Sequence, residues 1–297
     1  MLWPSLFCVL LILLWLYARA RPAPPSMLSL PPKKGPLVIA HGDESGNGLY
    51  PGNTLLYLHK MVELGVDALE MDVNLTADGH LVLIHDSQLE RTTNGKGAVR
   101  EMTLEQLRQL NMGHNWSRDG DSYPYRENPL QIVTIDEVFA ALPDTPMIIE
   151  LKNNDRRAAE AMCESLRRSQ KRDQVIVSSF HQGLINYFRR LCPEVATGAA
   201  TLDAMLFFAA QLLHAERLLR PAYQTMQLPM RYYGIPVFSR RFMRAARKLN
   251  LHVSAWTVND REDMEHYTAL GLDGLVSDRP DRLLTLLQQQ NNNQESE

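Results

Sequence analysis

Three carboxylates, two histidines and a lysine stand at the ends of short apolar runs in this 297-residue chain: His41, Glu70, Asp72, His85, Glu150 and Lys152. Glu70 and Asp72 are two apart, as are Glu150 and Lys152, so on strands each pair shares one face. Carboxylate oxygens suit a hard cation, Mg²⁺ or Ca²⁺, whereas zinc favours His and Cys ligands. Two histidines can hold opposite protonation states near neutral pH, one giving a proton while the other takes one. Each such transfer is typically worth about 10²–10⁴-fold in rate. Singly, each residue has an ordinary explanation: a solvated strand edge, a structural histidine, a surface ion pair worth little. The coincidence of six at strand ends is the signal.

The elements that must bring them together alternate. Short apolar runs at 37–40, 68–74, 81–84, 147–151, 174–178, 195–199, 222–228, 252–257 and 274–276 are expected strands. Amphipathic stretches at 54–64, 103–110, 135–141, 155–169, 184–191, 239–249 and 261–270 are expected helices. Alternation of this kind makes a parallel sheet with crossover helices, and about eight units make a TIM (β/α)8 barrel. Nine expected strands exceed eight, so at least one lies outside the barrel. On such a barrel the C-terminal strand ends converge on one face, which is where these polar residues fall. The stretch 113–129, rich in Asn, Asp, Gly, Pro and Tyr, reads as an irregular insertion.

Composition narrows the setting. A formal net charge of −3 gives no general reason to bind nucleic acid. Leu2 to Ala18 carry no charged side chain, and about 17 residues of helix span roughly 26 Å, at the short end of a membrane crossing. Residues 1–20 are therefore expected to be a single-pass transmembrane anchor; the alternative is a cleaved signal peptide. Arg19, Arg21, Lys33 and Lys34 follow the apolar run, so the positive-inside rule puts the rest of the chain in the cytoplasm, with the opposite side as the alternative. Six prolines make 21–36 an extended linker, 37–287 form the barrel domain, and the Gln/Asn-rich 288–297 read as a disordered tail. Of three cysteines, Cys163 and Cys192 are expected as buried free thiols.

The order of short motifs adds a resemblance. The run from Leu37 to His41, then Pro51-Gly52-Asn53-Thr54, Glu70-Met71-Asp72, Thr76-Ala77-Asp78-Gly79, His85-Asp86, Arg91-Thr92-Thr93-Asn94-Gly95, Glu150-Leu151-Lys152, Ser178-Ser179-Phe180, Trp256-Thr257-Val258-Asn259 and Ser277-Asp278-Arg279-Pro280 resembles the glycerophosphodiester phosphodiesterase family over roughly 37–287. That resemblance implies that Glu70, Asp72 and Glu150 hold one divalent cation, Mg²⁺ or Ca²⁺. It implies that His41 and His85 are the acid and base in an order the sequence leaves open, and that Lys152 helps hold the phosphate. Trp256 is a candidate for packing on the glycerol moiety, with a core role as the alternative. A phosphodiester is already anionic, so a cation and a lysine must offset charge as the transition state develops. The resemblance offers the neighbouring glycerol hydroxyl as the attacker, giving a cyclic phosphate that water then opens. The implied reaction yields glycerol 3-phosphate and an alcohol. The anchor makes a lysophospholipid substrate, giving lysophosphatidic acid, a second expectation beside a small soluble phosphodiester.

Two positions depart from the family pattern. Gly42 stands where Arg usually follows the first histidine, and Gly52 where Glu usually precedes Asn-Thr. Losing the Arg removes a bidentate phosphate donor. The competing expectation is accordingly a weak or silent membrane-bound phosphodiester-binding module, and a substitute role for Asp43 or Glu44 is the conciliatory one. Phe207, Phe208, Leu212 and Leu213, with Met230, Tyr232 and Tyr233, are expected in the core; an apolar face for a lipid chain is the alternative.

Overall fold

A computed structural model describes residues 11, 21–24, 35–42 and 48–295. Its strands are β1 (Leu37–Ala40), β2 (Ala68–Leu75), β3 (Leu81–Leu83), β4 (Met147–Leu151), β5 (Val175–Ser178), β6 (Ala196–Thr197), β7 (Thr225–Pro229), β8 (Arg231–Tyr232), β9 (Ile235–Pro236), β10 (His252–Trp256) and β11 (Gly274–Ser277). The helices are α1 (Leu55–Leu64), α2 (Leu104–Leu107), α3 (Ile135–Ala141), α4 (Arg156–Ser169), α5 (Gln182–Leu191), α6 (Thr201–Leu212), α7 (Arg240–Lys248), α8 (Arg261–Leu270) and α9 (Pro280–Glu295). Several begin on caps legible in the sequence. Thr54, Thr134 and Ser239 each accept a hydrogen bond from a first-turn amide, and Glu137 completes a capping box with Thr134. Gly65 ends α1 at φ 89°, a left-handed conformation that a side chain would strain.

The parallel strands run in the order β6-β5-β4-β2-β1-β11-β10-β7. The two ends of that path meet where Gly198 bridges Thr225 and the Ala199 amide donates to the Thr225 carbonyl at 2.8 Å. The result is a nearly closed eight-stranded α/β barrel of the TIM type. The surplus strand is β3, which pairs antiparallel with β2 alone and so stays off the barrel path. It is too short and too close in sequence to β2 for a parallel crossover.

Strand periodicity then sorts the barrel interior into layers. Ile39, Ala68, Ile148, Ile176 and Val276 form a small buried cluster inside it. Two residues further along the same strands stand His41, Glu70, Glu150, Ser178 and Asp278. An apolar plug below and a polar layer above are therefore one consequence of alternation by two. The larger cores lie between barrel and helices, around Leu69, Met71 and Phe188 on one side and around Phe242, Val253 and Leu275 on the other.

Four expectations need correction or placement. The Gln/Asn-rich stretch is helical through Glu295, because α9 starts on Pro280 and nothing in 288–295 breaks it. Helix α6 is absent from the expected set, since Leu202, Met205, Leu206, Phe207 and Phe208 surround it with apolar side chains and blur its period. Cys163 and Cys192 are joined in a disulfide with Cα atoms 5.8 Å apart, linking α4 to the residue after α5, rather than standing as free thiols. Among the described residues no helix is long and apolar enough to cross a membrane, and the expected anchor at 1–20 lies outside them apart from Leu11. In the linker, Ala23 is buried: its amide donates to the Leu249 carbonyl at 2.8 Å, at the barrel end opposite the polar layer.

Candidate active site

One cavity at the C-terminal strand ends, about 170 Å³, is lined by His41, Glu70, Asp72, His85, Glu150, Lys152 and Trp256 together with Ser178, Phe180 and Gln227. Every site residue expected from the sequence thus borders it. The carboxylates converge through register: Asp72 stands directly opposite Glu150 across β2 and β4, and Glu70 lies two residues back on the same face. Each offers an oxygen, and these oxygens all lie within 4.8 Å of one another. The Lys152 ammonium sits 3.0 Å from Asp72 and 3.2 Å from Glu150.

Three acids, two of them buried and Glu150 partly so, crowd around one ammonium and the His41 ring, and that crowding disfavours the charged form of the carboxyls. Burial pushes the Glu70 carboxyl up to about 8, with the Asp72 charge adding to it. Burial and Asp72 also raise Glu150, against the pull of Lys152. Lys152 moves upward too; burial opposes its charge, but Asp72 and Glu150 outweigh that. A divalent cation would relieve this repulsion, and three converging carboxylates are the oxygen donors Mg²⁺ or Ca²⁺ take. The donor set fits the cation that the resemblance implies.

The two histidines are each held by a carboxylate on Nδ1. His41 Nδ1 lies 2.6 Å from Asp278 Oδ1, and its Nε2 lies 4.0 Å from Glu70. Burial works against charge on His41, but the bond to Asp278 and the nearby acids prevail and raise it to about 9. Asp278 is itself fixed by Asn259, whose amide donates to Oδ2 at 2.8 Å. His85 Nδ1 lies 2.7 Å from Asp86, which Arg91 clamps through Nε at 2.5 Å and Nη2 at 3.1 Å. With Nδ1 engaged in each ring, Nε2 is the nitrogen left for substrate.

Three positioning residues escaped the sequence reading of the site. Asp278, Asn259 and Asn53 all lie in the quoted motifs, yet nothing local to them announces a role. Asn53 occupies a left-handed φ of 50° and bonds Asp72 twice: its Oδ1 accepts from the Asp72 amide at 3.1 Å, and its Nδ2 donates to Oδ2 at 3.3 Å. Asn tolerates that backbone region better than most residues.

Gly42 acquires a steric explanation. Its amide donates to Glu70 at 3.1 Å, and a Cβ built there would lie 2.6 Å from the Glu70 carbonyl oxygen and 2.9 Å from the Met71 Cα. Glycine is the residue this close approach admits, so no side chain fits at position 42 on this backbone. Asp43 and Glu44 lie outside the described residues.

The expected core stripe divides. Phe207 is buried, whereas Leu212, Leu213, Tyr232 and Tyr233 are exposed. Trp256 stands at the border, its ring centroid 6.1 Å from that of Phe180 in an edge-on contact.

Comparison with known proteins agrees with this architecture. The sequence profile of the glycerophosphoryl diester phosphodiesterase family matches residues 45–282. A glycerophosphodiester phosphodiesterase of Caldanaerobacter subterraneus subsp. tengcongensis is 30% identical over 260 residues, covering 84% of this chain and 97% of that protein. One from Bacillus altitudinis is 30% identical over 258 residues, with the same coverage of both. Among solved structures, an Oleispira antarctica phosphodiesterase in complex with the product sn-glycerol-3-phosphate aligns with a TM-score of 0.68 and 26% identity, covering 88% of this chain and 98% of that one. The glycerophosphoryl diester phosphodiesterase domain of an uncharacterized Mycobacterium tuberculosis protein aligns with a TM-score of 0.74 at 22% identity, over 86% and 99% of the two chains. By the profile match and by these full-length relatives, the chain belongs to the glycerophosphoryl diester phosphodiesterase family of phosphoric diester hydrolases.

Proposed function

We propose that this chain hydrolyses glycerophosphodiesters in a reaction dependent on a divalent cation, Mg²⁺ or Ca²⁺. The products are an alcohol and glycerol 3-phosphate, or lysophosphatidic acid when the glycerol carries one acyl chain. The observation that carries this reading is the meeting of three converging carboxylates and two carboxylate-backed histidines in one cavity.

Glu70, Asp72 and Glu150 hold the cation, which when bound offsets negative charge on the phosphate oxygens. Lys152 adds positive charge on the same side while staying tied to Asp72 and Glu150. His41, kept charged by Asp278, donates a proton to the departing alkoxide, a poor leaving group without one. His85, its Nδ1 engaged by Asp86, takes the proton of the attacking hydroxyl on Nε2. Asp278 and Asp86 fix ring orientation and tautomer in the way a triad carboxylate does. Trp256 and Phe180 wall the cavity where the glycerol would lie. The steric reason for Gly42 explains why no arginine stands there but supplies no substitute phosphate donor, and Gly52 remains a departure, so the silent-module alternative is left to the assay that follows.

Purified protein incubated with glycerophosphocholine tests this reading: free choline should appear, and EDTA should abolish it. Release of phosphocholine instead would mean cleavage on the other side of phosphorus, and no release would leave only binding.

For location, the apolar run Leu2–Ala18 supports the expected single-pass anchor at 1–20. The cations after them favour the cytoplasmic side, but the Cys163–Cys192 disulfide favours a non-reducing compartment. We take the disulfide as the stronger argument and put the barrel on the exported side. A C-terminal reporter active only in the cytoplasm would overturn that.

A further inference from the structure

Beside the catalytic cavity runs a second, much larger one of about 730 Å³, and the two share Phe180, Ala199, Gln227 and Trp256 as a common wall. It lies between α6 and the β8–β9 hairpin. Arg231 is the one charged residue among the side chains lining it; most of the others are apolar. Met205 and Leu212 on the helix, and Tyr233 and Ile235 on the hairpin, are more than half exposed. Apolar surface gathered this way normally has an occupant.

The shape and position choose among occupants. The trough has solvent-exposed side chains on both its helix and its hairpin walls, and through Phe180, Ala199, Gln227 and Trp256 it adjoins the cavity that would seat glycerol and phosphate. A second protein surface would cover the rim but would not reach that junction. A polar head group such as choline gains nothing from a wall of aliphatic and aromatic carbon. A single alkyl chain attached to the glycerol satisfies both, since its polar end lies at the carboxylates while its methylenes follow the trough.

We propose that this trough is an acyl-chain site and that the preferred substrate is a single-chain glycerophospholipid, a lysophospholipid. This deepens the hydrolase reading given above and rests on it. In the reaction, water supplies the oxygen that joins phosphorus, directly or after a cyclic phosphate. The bond from phosphorus to the head-group oxygen breaks, and the head-group alcohol leaves with a proton. The acyl ester is untouched.

The test compares glycerophosphocholine with lysophosphatidylcholines of six to twelve carbons, each below its micelle concentration, using the full chain. Ala204→Trp and Ile235→Glu are the informative variants, because both positions line the trough and neither lines the catalytic cavity. Full burial of a methylene is worth roughly fourfold in affinity, and an open trough buries about half of each. Wild-type kcat/KM should therefore rise about twofold per added methylene. In both variants the slope should flatten toward one, with choline release from glycerophosphocholine unchanged. Equilibrium binding of monomeric dodecylphosphocholine, weakened in both variants, gives a readout that needs no turnover. Release of choline from every substrate with no dependence on chain length would overturn the acyl site and leave the hydrolase reading intact. Chain-dependent binding without any turnover would keep the acyl site and sink the hydrolase reading. Dimerisation abolished by Ile235→Glu, with no chain dependence, would assign the trough to a second copy and overturn the proposal.

Discussion

Asp72 and Glu150 face each other as register partners on adjacent parallel strands, and the ammonium of Lys152 lies within 3.2 Å of both. The lysine therefore serves two purposes. It neutralises part of the acid cluster in the resting protein, and in the proposed reaction it remains charged beside the substrate phosphate.

Replacing it separates those purposes. Lys152→Met leaves two buried carboxylates without their ion partner, and breaking such a pair costs about 3–5 kcal/mol. Some exposure of the lysine reduces that to about 2–3 kcal/mol. Urea unfolding in EDTA should record the loss, and saturating Mg²⁺ or Ca²⁺ should restore most of it, because binding to the folded state alone stabilises it. Activity should stay low even with cation present.

Gly42→Ala tests the steric reading of the position. A methyl group 2.6 Å from the Glu70 carbonyl forces β2 or the loop to move. Overpacking of this kind costs about 1–3 kcal/mol, and here it displaces a carboxylate of the cluster. Thermal unfolding and cation affinity should both fall; a variant with unchanged affinity would contradict the assignment.

Asp278→Asn should lower kcat about 10²-fold while leaving KM for glycerophosphocholine nearly unchanged. Asp278 is the main group that raises His41 against the effect of burial. Removing its charge therefore moves the proton donor downward, and the alkaline limb of the pH–rate profile should move to lower pH. An unshifted limb would exclude His41 as the donor.

His252, near the buried end of β10, predicts a stability change unconnected with catalysis. Burial lowers it from 6.5 to about 4, and its Nε2 has no partner among the described residues. The unfolded chain takes up a proton near 6.5, whereas the folded chain resists until about 4. The contribution is thus complete above pH 6.5 and is lost as pH falls toward 4. Linkage gives about 2 kcal/mol between pH 7 and pH 5. Glu70 and His41, both raised on folding, act in the opposite direction over the same range and are common to wild type and variant, so the change in urea-unfolding stability between pH 7 and pH 5 should differ by about that amount between wild type and His252→Gln.

Much of this was legible in the chain itself, for reasons that particular residues illustrate. β1 and β4 coincide with their expected ranges because each is a short, largely apolar segment, interrupted in β4 only by Glu150, with a polar residue directly after it. Glu70, Asp72, Glu150 and Lys152 declared themselves by spacing of two, which strand geometry turns into one face. What escaped depends on contacts between distant residues. Asp278 reaches His41 across 237 positions, and the disulfide joins cysteines 29 apart by way of helix packing. Helix α6 hid because its exposed side is as apolar as its buried one, the same property that makes it a wall of the trough.

The account depends most on the shared cation, and one titration tests it directly. Protein stripped with EDTA, then titrated with Mg²⁺ or Ca²⁺ while choline release from glycerophosphocholine is followed, should start at least about 10²-fold below full activity. Activity should recover with one cation per chain, and Glu150→Gln should need far more. Full activity in the stripped protein would contradict the carboxylate centre outright.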